Sequence, residues 1–274
     1  MLVVDGDSFA HRAFHGVPRS VDRRAGGRPG NALAGFTSML LRLWQAERPR
    51  AVVVGWDTIG APTYRTELLP GYQAGREFDP DLLEQLDLLP GLVSATGIVC
   101  GKQAGYEADD FLAAAVVQED ARGGRTVVAT SDRDAFQLVS ERTTILQPQR
   151  GVSEMARVRS AEVRARYGVE PGQVVDFIAL RGDPSDRIPG ARGVGEKTAA
   201  ALLAEHGSLA ALLAAGRFVA EAEALRSYAS IARMDSEAPL PTIEDRKPDW
   251  GAGAQAAEEL GLARLARTLR DAAG

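Results

Sequence analysis

The chain has 274 residues, 45% hydrophobic and 25% charged. That is the make-up of a soluble globular protein, with room for one large domain or a domain and a smaller companion. A single cysteine, Cys100, excludes an intrachain disulfide, and the opening MLVVDGD is too briefly apolar for a signal peptide or membrane span, so a cytoplasmic protein is expected. The net charge of −5 argues, at face value, against a nucleic-acid partner.

Short apolar runs predict buried strands at 2–4 (LVV), 51–54 (AVVV), 126–129 (TVVA) and 143–146 (TTIL). Between the first three, apolar residues fall three and four apart over 30–47 and 79–96. With 108–124, which ends at glycines, these stretches predict helices. Strands alternating with helices predict an α/β domain: a mostly parallel central sheet with helices on both faces. Cys100, in GIVC, reads as a buried apolar site. Segments 16–30 and 57–80 read as irregular loops, and the second is long enough to suggest function. Beyond residue 150 the strand signals stop. Short helices are predicted at 160–168, 174–182, 197–207 and 208–216, most ending at glycine. A core over 1–152 and a small all-helical subdomain over 153–236 are therefore expected. A proline-rich link and one last helix, AQAAEELGLARLARTLRDAA, complete a closing segment over 237–274 that packs back on the core.

The acids concentrate at equivalent places on this map. Asp5 ends the first strand, Asp57 follows the second, and Asp132 and Asp134 follow TVVA. Open parallel sheets form their sites beyond such carboxyl ends. Glu107, Asp109 and Asp110 open a helix, and Asp183 and Asp186 stand three apart in RGDPSDR. One or two acids suit a helix N-terminus for its dipole alone. Acids converging from four segments repel one another and call for cations. An oxygen-only set favours Mg²⁺, Mn²⁺ or Ca²⁺. Asp7 is an extra acid beside Asp5. His11, His15 and His206 show no metal-ligand spacing and read as ordinary. Two Mg²⁺ ions can clamp an in-line displacement at phosphorus without a protein nucleophile.

A second constellation, IPGARGVGEKTAAALL, places Gly193 and Gly195 just before a helix that begins with Lys197 and Thr198 nearby. Backbone N–H groups there can meet a phosphate, although a plain glycine turn has the same appearance. In the 57–80 loop, Arg65, Tyr72 and Arg76 combine charge for phosphates with an aromatic face for a base.

Taken in order, VDG (4–6), HRAF (11–14), YRTELLPGY (64–72), EADD (107–110), TSDRDAFQLV (130–139) and LRGDPSDRIPGARGVGEKTA (180–199) resemble the bacterial 5′-nuclease, or flap endonuclease, family. That fold also forms the N-terminal nuclease of DNA polymerase I. With no polymerase sequence following, the resemblance is to a stand-alone member. It implies a PIN-like core, an arch over about 57–90, and a helix–hairpin–helix-like duplex-binding motif. It also implies metal-dependent exonuclease and 5′-flap cleavage leaving a 5′-phosphate, by a monomer acting on DNA with flaps, nicks or 5′ ends. The implied catalytic and metal residues are Asp5, Asp57, Glu107, Asp109, Asp110, Asp132, Asp134, Asp183 and Asp186, holding two or more Mg²⁺ or Mn²⁺ ions. Potassium is implied at the 188–198 hairpin. Arg12, Tyr72 and Arg76 match residues that guide the 5′ strand. Two departures stand out: Gln73 where the family's arch usually has lysine, and Arg187 where SDN is usual.

Setting nine site acids aside turns the remainder of the chain from −5 to +4, which fits binding through DNA phosphates. Two alternatives remain. VDGDS also offers the DxD of a haloacid-dehalogenase-type phosphatase, with Asp5 as nucleophile and Asp7 as acid. A non-catalytic DNA-binding relative is the other.

Overall fold

The computed structural model describes residues 1–75, 77–149 and 154–274. Six strands form one sheet: β1 (Leu2–Asp5), β2 (Val52–Gly55), β3 (Val99–Gly101), β4 (Thr126–Ala129), β5 (Thr143–Pro148) and β6 (Met155–Val158). Their order is β3-β2-β1-β4-β5-β6. Every pairing is parallel except β5 with β6. The four predicted strands are present. Two more escape the sequence pattern: β3 has only three residues, and β6 (MARV) is an edge strand whose arginine breaks the apolar run. Strand pairing therefore continues past residue 150, into the stretch expected to be all-helical.

The helices are α1 (Gly6–Gly16), α2 (Asn31–Glu47), α3 (Tyr64–Leu68), α4 (Pro80–Ala95), α5 (Ala108–Ala121), α6 (Ser160–Tyr167), α7 (Val174–Arg181), α8 (Glu196–His206), α9 (Leu209–Ala214), α10 (Ala222–Ala232), α11 (Trp250–Glu259) and α12 (Ala263–Ala273). The expected single closing helix is instead the pair α11 and α12. Gly261, at φ +80°, turns the chain between them, and the two pack on each other and on α4 and α2. The 57–80 loop contains α3. Among the described residues, no helix is long and apolar enough to cross a membrane.

Period-two alternation divides the sheet between two cores. Leu2, Val4, Val52 and Val54 face a layer built from α1, α2, α4, α11 and α12. Val3, Val53 and Val128 face α5 and the helices α7 to α10. Both faces of the central strands are buried, as a parallel sheet requires.

One close approach sets the site. β2 ends at Gly55, and a Cβ there would lie 2.5 Å from the carbonyl oxygen of Ala108. The first turn of α5 thus rests directly on the carboxyl end of β2, beside Asp57. A Gly55→Ala substitution should push α5 away and destabilise the fold by roughly 1–3 kcal/mol. Urea unfolding measures this; an unchanged midpoint would show that the contact can relax at no cost.

Candidate active site

The carboxyl edge of the sheet opens into a cleft of about 640 Å³ lined by Asp5, Asp7, Asp57, Glu107, Asp109, Asp132, Asp134 and Asp183. These acids come from the ends of β1, β2 and β4, the first turns of α1 and α5, and the hairpin after α7. Separate stretches of chain meet there because parallel strands deliver all their carboxyl ends to one edge.

Six of these acids are held by hydrogen-bond donors. Asp5 accepts from the backbone N–H of Ser8 at 3.0 Å and from the Thr130 hydroxyl at 2.6 Å. Asp7 accepts from the N–H of Asp57 at 2.7 Å, and Asp57 from that of Ala108 at 2.7 Å. Glu107 accepts from the hydroxyls of Thr63 at 3.1 Å and Tyr72 at 3.0 Å. Asp132 accepts from the N–H of Asp134 at 2.8 Å. Asp183 accepts from the N–H and hydroxyl of Ser185 and pairs with Arg181 at 3.0 Å. These tethers keep the carboxylates apart. Among the described residues, no three acid, histidine or cysteine side chains converge into a ready-made ion cage.

The electrostatics are those of crowded anions. Burial pushes Asp5 up to about 7; the hydrogen bonds from Thr130 and Ser8 oppose this, and the charges of Asp57 and Asp132 add to it. Glu107 is also pushed up to about 7 by burial, against the pull of Arg65. Burial, then the field of neighbouring carboxylates, raises Asp7, Asp109 and Asp134. The donors are hard oxygens carrying more negative charge than the site can readily hold. Such a set fits divalent cations of the Mg²⁺ or Mn²⁺ kind.

Two expected acids stand elsewhere. Asp186 lies at the rim, where Gln73 donates to its carboxylate at 3.0 Å; the same Gln73 amide donates to the Tyr72 hydroxyl at 2.9 Å. Its charge still contributes to raising Asp134. Asp110 is absent from the cleft lining and fully buried. Successive helical residues point about 100° apart, so Asp109 faces the cleft while Asp110 faces Arg65. Arg65 makes a two-pronged pair with Asp110, at 2.8 and 2.7 Å. The N–H groups of Glu107 and Asp235 complete the carboxylate's shell. Asp110 is therefore corrected from a metal ligand to the anchor of Arg65.

The same contact corrects Arg65 as a DNA-binding residue. It is 3% exposed and also donates to the carbonyls of Ile231 and Arg233, tying α3 to α5 and α10. Tyr72 offers no stacking face either: it is 6% exposed and its hydroxyl is committed to Glu107. Arg76 lies outside the described residues. Arg12 lines a neighbouring cleft. Gly193, Gly195, Lys197 and Thr198 are all exposed around the start of α8. His11, which the sequence left as ordinary, lines the acidic cleft beside Phe78, as do Arg133, Tyr167 and Arg181. His11, Arg133 and Arg181 fall within the motifs HRAF, TSDRDAFQLV and LRGDPSDR, a signal that could have singled them out; Tyr167 carried none. Asp5, with both oxygens engaged, is a poor nucleophile for the phosphatase alternative.

Two family models match consecutive parts of the chain. The 5′-3′ exonuclease, N-terminal resolvase-like domain, covers residues 1–168, and the 5′-3′ exonuclease, C-terminal SAM fold, covers 169–248. DNA polymerase I of Mycobacterium tuberculosis is 43% identical over 214 residues, 78% of this chain and 24% of that protein. Thermostable DNA polymerase I of Thermus thermophilus is 36% identical over 262 residues, 91% of this chain and 30% of that protein. The chain thus spans about a quarter of the first of these relatives. Among solved structures, T5 5′-exonuclease with divalent metal ions (zinc) bound shares the fold at TM-score 0.71 and 18% identity, covering 100% of this chain and 99% of that one. The catalytic core of Rad2 in complex with DNA substrate does so at TM-score 0.61 and 14% identity, covering 100% and 91%.

Asp110→Ala should strip Arg65 of its buried partner and destabilise the chain by ~3–5 kcal/mol. Asp134→Ala, which removes a disfavoured charge, should leave the metal-free chain at least as stable. Urea unfolding with a chelator present tests both, and equal losses would contradict the assignment. The raised carboxylates also fix a pH dependence. The folded state holds these protons more tightly than the unfolded one, so their contribution is greatest below about pH 4. It is lost as pH rises through about 7. The metal-free melting temperature should fall from pH 5 to pH 8, and millimolar Mg²⁺ should raise it most at pH 8; a flat profile would contradict this.

Proposed function

The chain belongs to the 5′-3′ exonuclease family, and from that premise we propose a structure-selective 5′-nuclease that hydrolyses DNA phosphodiesters with divalent metal ions. It would act on flaps, nicks and 5′ ends and leave a 5′-phosphate. The observation that carries this reading is the shared cleft in which acids from separate chain segments meet. The divalent ions on T5 5′-exonuclease and the DNA on the Rad2 core are in line with it.

In this reading Asp5, Asp57, Glu107, Asp109, Asp132, Asp134 and Asp183 hold Mg²⁺ or Mn²⁺, with Asp7 and Asp186 as flanking acids. When bound, such ions lower the pKa of an attacking water and stabilise the leaving oxygen. The chain's own part is to fix the carboxylates. Ser8 and Thr130 brace Asp5, Thr63 and Tyr72 brace Glu107, and Arg181 orients Asp183. No side chain is needed as a nucleophile.

Duplex binding falls to the hairpin between α7 and α8. Its backbone is pinned by paired hydrogen bonds between Asp183 and Ile188, both 2.8 Å, and by the N–H of Ala191 on Leu180 at 2.8 Å. Gly193 takes φ +75°, with nothing within 4 Å of where a Cβ would stand. The exposed first turn of α8 with Lys197 and Thr198 can then meet a phosphate without steric hindrance. A potassium ion held by backbone carbonyls would sit in this hairpin, over 188–198. The protein would work as a cytoplasmic monomer that reads duplex shape.

Asp134→Asn should abolish metal-dependent cutting of a labelled 5′-flap substrate while leaving DNA binding intact. Lys197→Ala should weaken binding and make its salt dependence shallower by about one ion. Persistent cutting by Asp134→Asn, or no cutting by the unaltered protein at any Mg²⁺ or Mn²⁺ concentration, would overturn the proposal, and the latter would leave only a binding module.

A further inference from the structure

A second cleft, of about 630 Å³, adjoins the acidic one and has the opposite charge. Arg12, Arg133 and Arg166 line it, with Glu196 as its one acid among the described residues. Glu196 already pairs with Arg181 at 3.3 Å. Neither Arg133 nor Arg166 has a carboxylate partner among the described residues. The two clefts share Ser131, Arg133 and Tyr167 as a common wall. A ligand strand can therefore pass from one to the other without leaving the protein surface.

Arg166 is held in place. Arg166 donates to the side-chain oxygen of Gln147, and Gln147 donates in turn to the carbonyl of Ser131 at 3.4 Å. That chain links Arg166 to the same loop that carries Asp132 and Asp134. Its guanidinium also lies 5.4 Å from the centre of the Phe136 ring. Arg133 shares the wall of the cleft with Tyr167, whose ring stacks on Phe177 at 5.0 Å. A planar guanidinium fixed as that of Arg166 is loses little freedom on binding an oxyanion.

We propose that Arg133 and Arg166 form a phosphate-binding slot for the DNA strand undergoing cleavage, gripping a phosphodiester close in sequence to the one at the acids. This rests on the nuclease reading and adds to it a positional rule. The acids would accept a phosphate only when a nearby one is seated among the arginines. The slot thereby fixes which bond lies at the acids. A free phosphate ion would fill the same chemistry, but a groove continuous with the acidic cleft suits a strand.

The test is a set of 5′-flap substrates, each with one neutral methylphosphonate at the first, second or third phosphate on either side of the cut. Single-turnover rates are measured for the unaltered protein, Arg166→Gln and Arg166→Lys, each checked for an unchanged melting temperature. One position should slow the unaltered protein about tenfold. Arg166→Gln should slow the unmodified substrate by a similar factor, yet add nothing on that one modified substrate, and Arg166→Lys should recover part of the loss. If no flanking position is sensitive in the unaltered protein, the slot is refuted without recourse to any variant. Losses that simply multiply at every position would also refute it, as the mark of a structural effect. A protein that cuts no flap at all would fail the nuclease reading instead.

Discussion

Everything at the working edge of this molecule follows from the repulsion among carboxylates that the sheet gathers there. Burial and mutual charge push Asp5 and Glu107 to about 7 and raise Asp7, Asp109 and Asp134. Hydrogen-bond donors steady most of the cluster: Asp5, Asp7, Asp57, Glu107, Asp132 and Asp183 each have at least one. Several of those donors are backbone N–H groups, at Ser8, Asp57, Ala108 and Asp134. Backbone donors are fixed by the fold, so Asp5, Asp7, Asp57 and Asp132 keep their places by it, while Asp183 also draws on Arg181. The arrangement is poised for added positive charge and is least comfortable without it.

The loop over 57–80 answers the same excess of charge. It supplies Thr63 and Tyr72 to Glu107, Gln73 to Asp186, and Arg65 to Asp110. The resemblance implies a lysine after the tyrosine. Here the uncharged amide of Gln73 donates to the Asp186 carboxylate and to the Tyr72 hydroxyl instead. The buried pair of Arg65 and Asp110 anchors the base of the loop to α5 and α10, and so joins the sheet to the helical part. Breaking one half of such a pair is far more damaging than never having it.

Charge is also divided in space. The acidic cleft and the arginine-lined cleft meet along a wall that includes Arg133, which stands between two acids in sequence. On the proposed function, this division would let a net-negative chain approach a polyanion, since a dense group of its acids sits where cations fit and arginines line the neighbouring cleft.

Much of this was legible in the residues. Unbroken valine runs marked β1, β2 and β4, an apolar run marked β5, and regular apolar spacing marked the long helices, because burial on both faces or on one stripe leaves a periodic trace. The acids at strand ends pointed to a shared site because parallel topology leaves them no other edge. Short or marginal elements left no trace: β3 has three residues, β6 is half exposed, and a single Gly261 divides the last helix. The division of labour within EADD was equally invisible. Glu107, Asp109 and Asp110 are the same chemistry within four positions. Which of them faces ions and which faces Arg65 depends on helix phase and on a partner 45 residues away. Sequence determined the fold class and the gathering of charge, since both follow from local pattern and strand direction. Tertiary structure alone decided which charges are neutralised inside the protein, because that depends on which side chains meet across the fold.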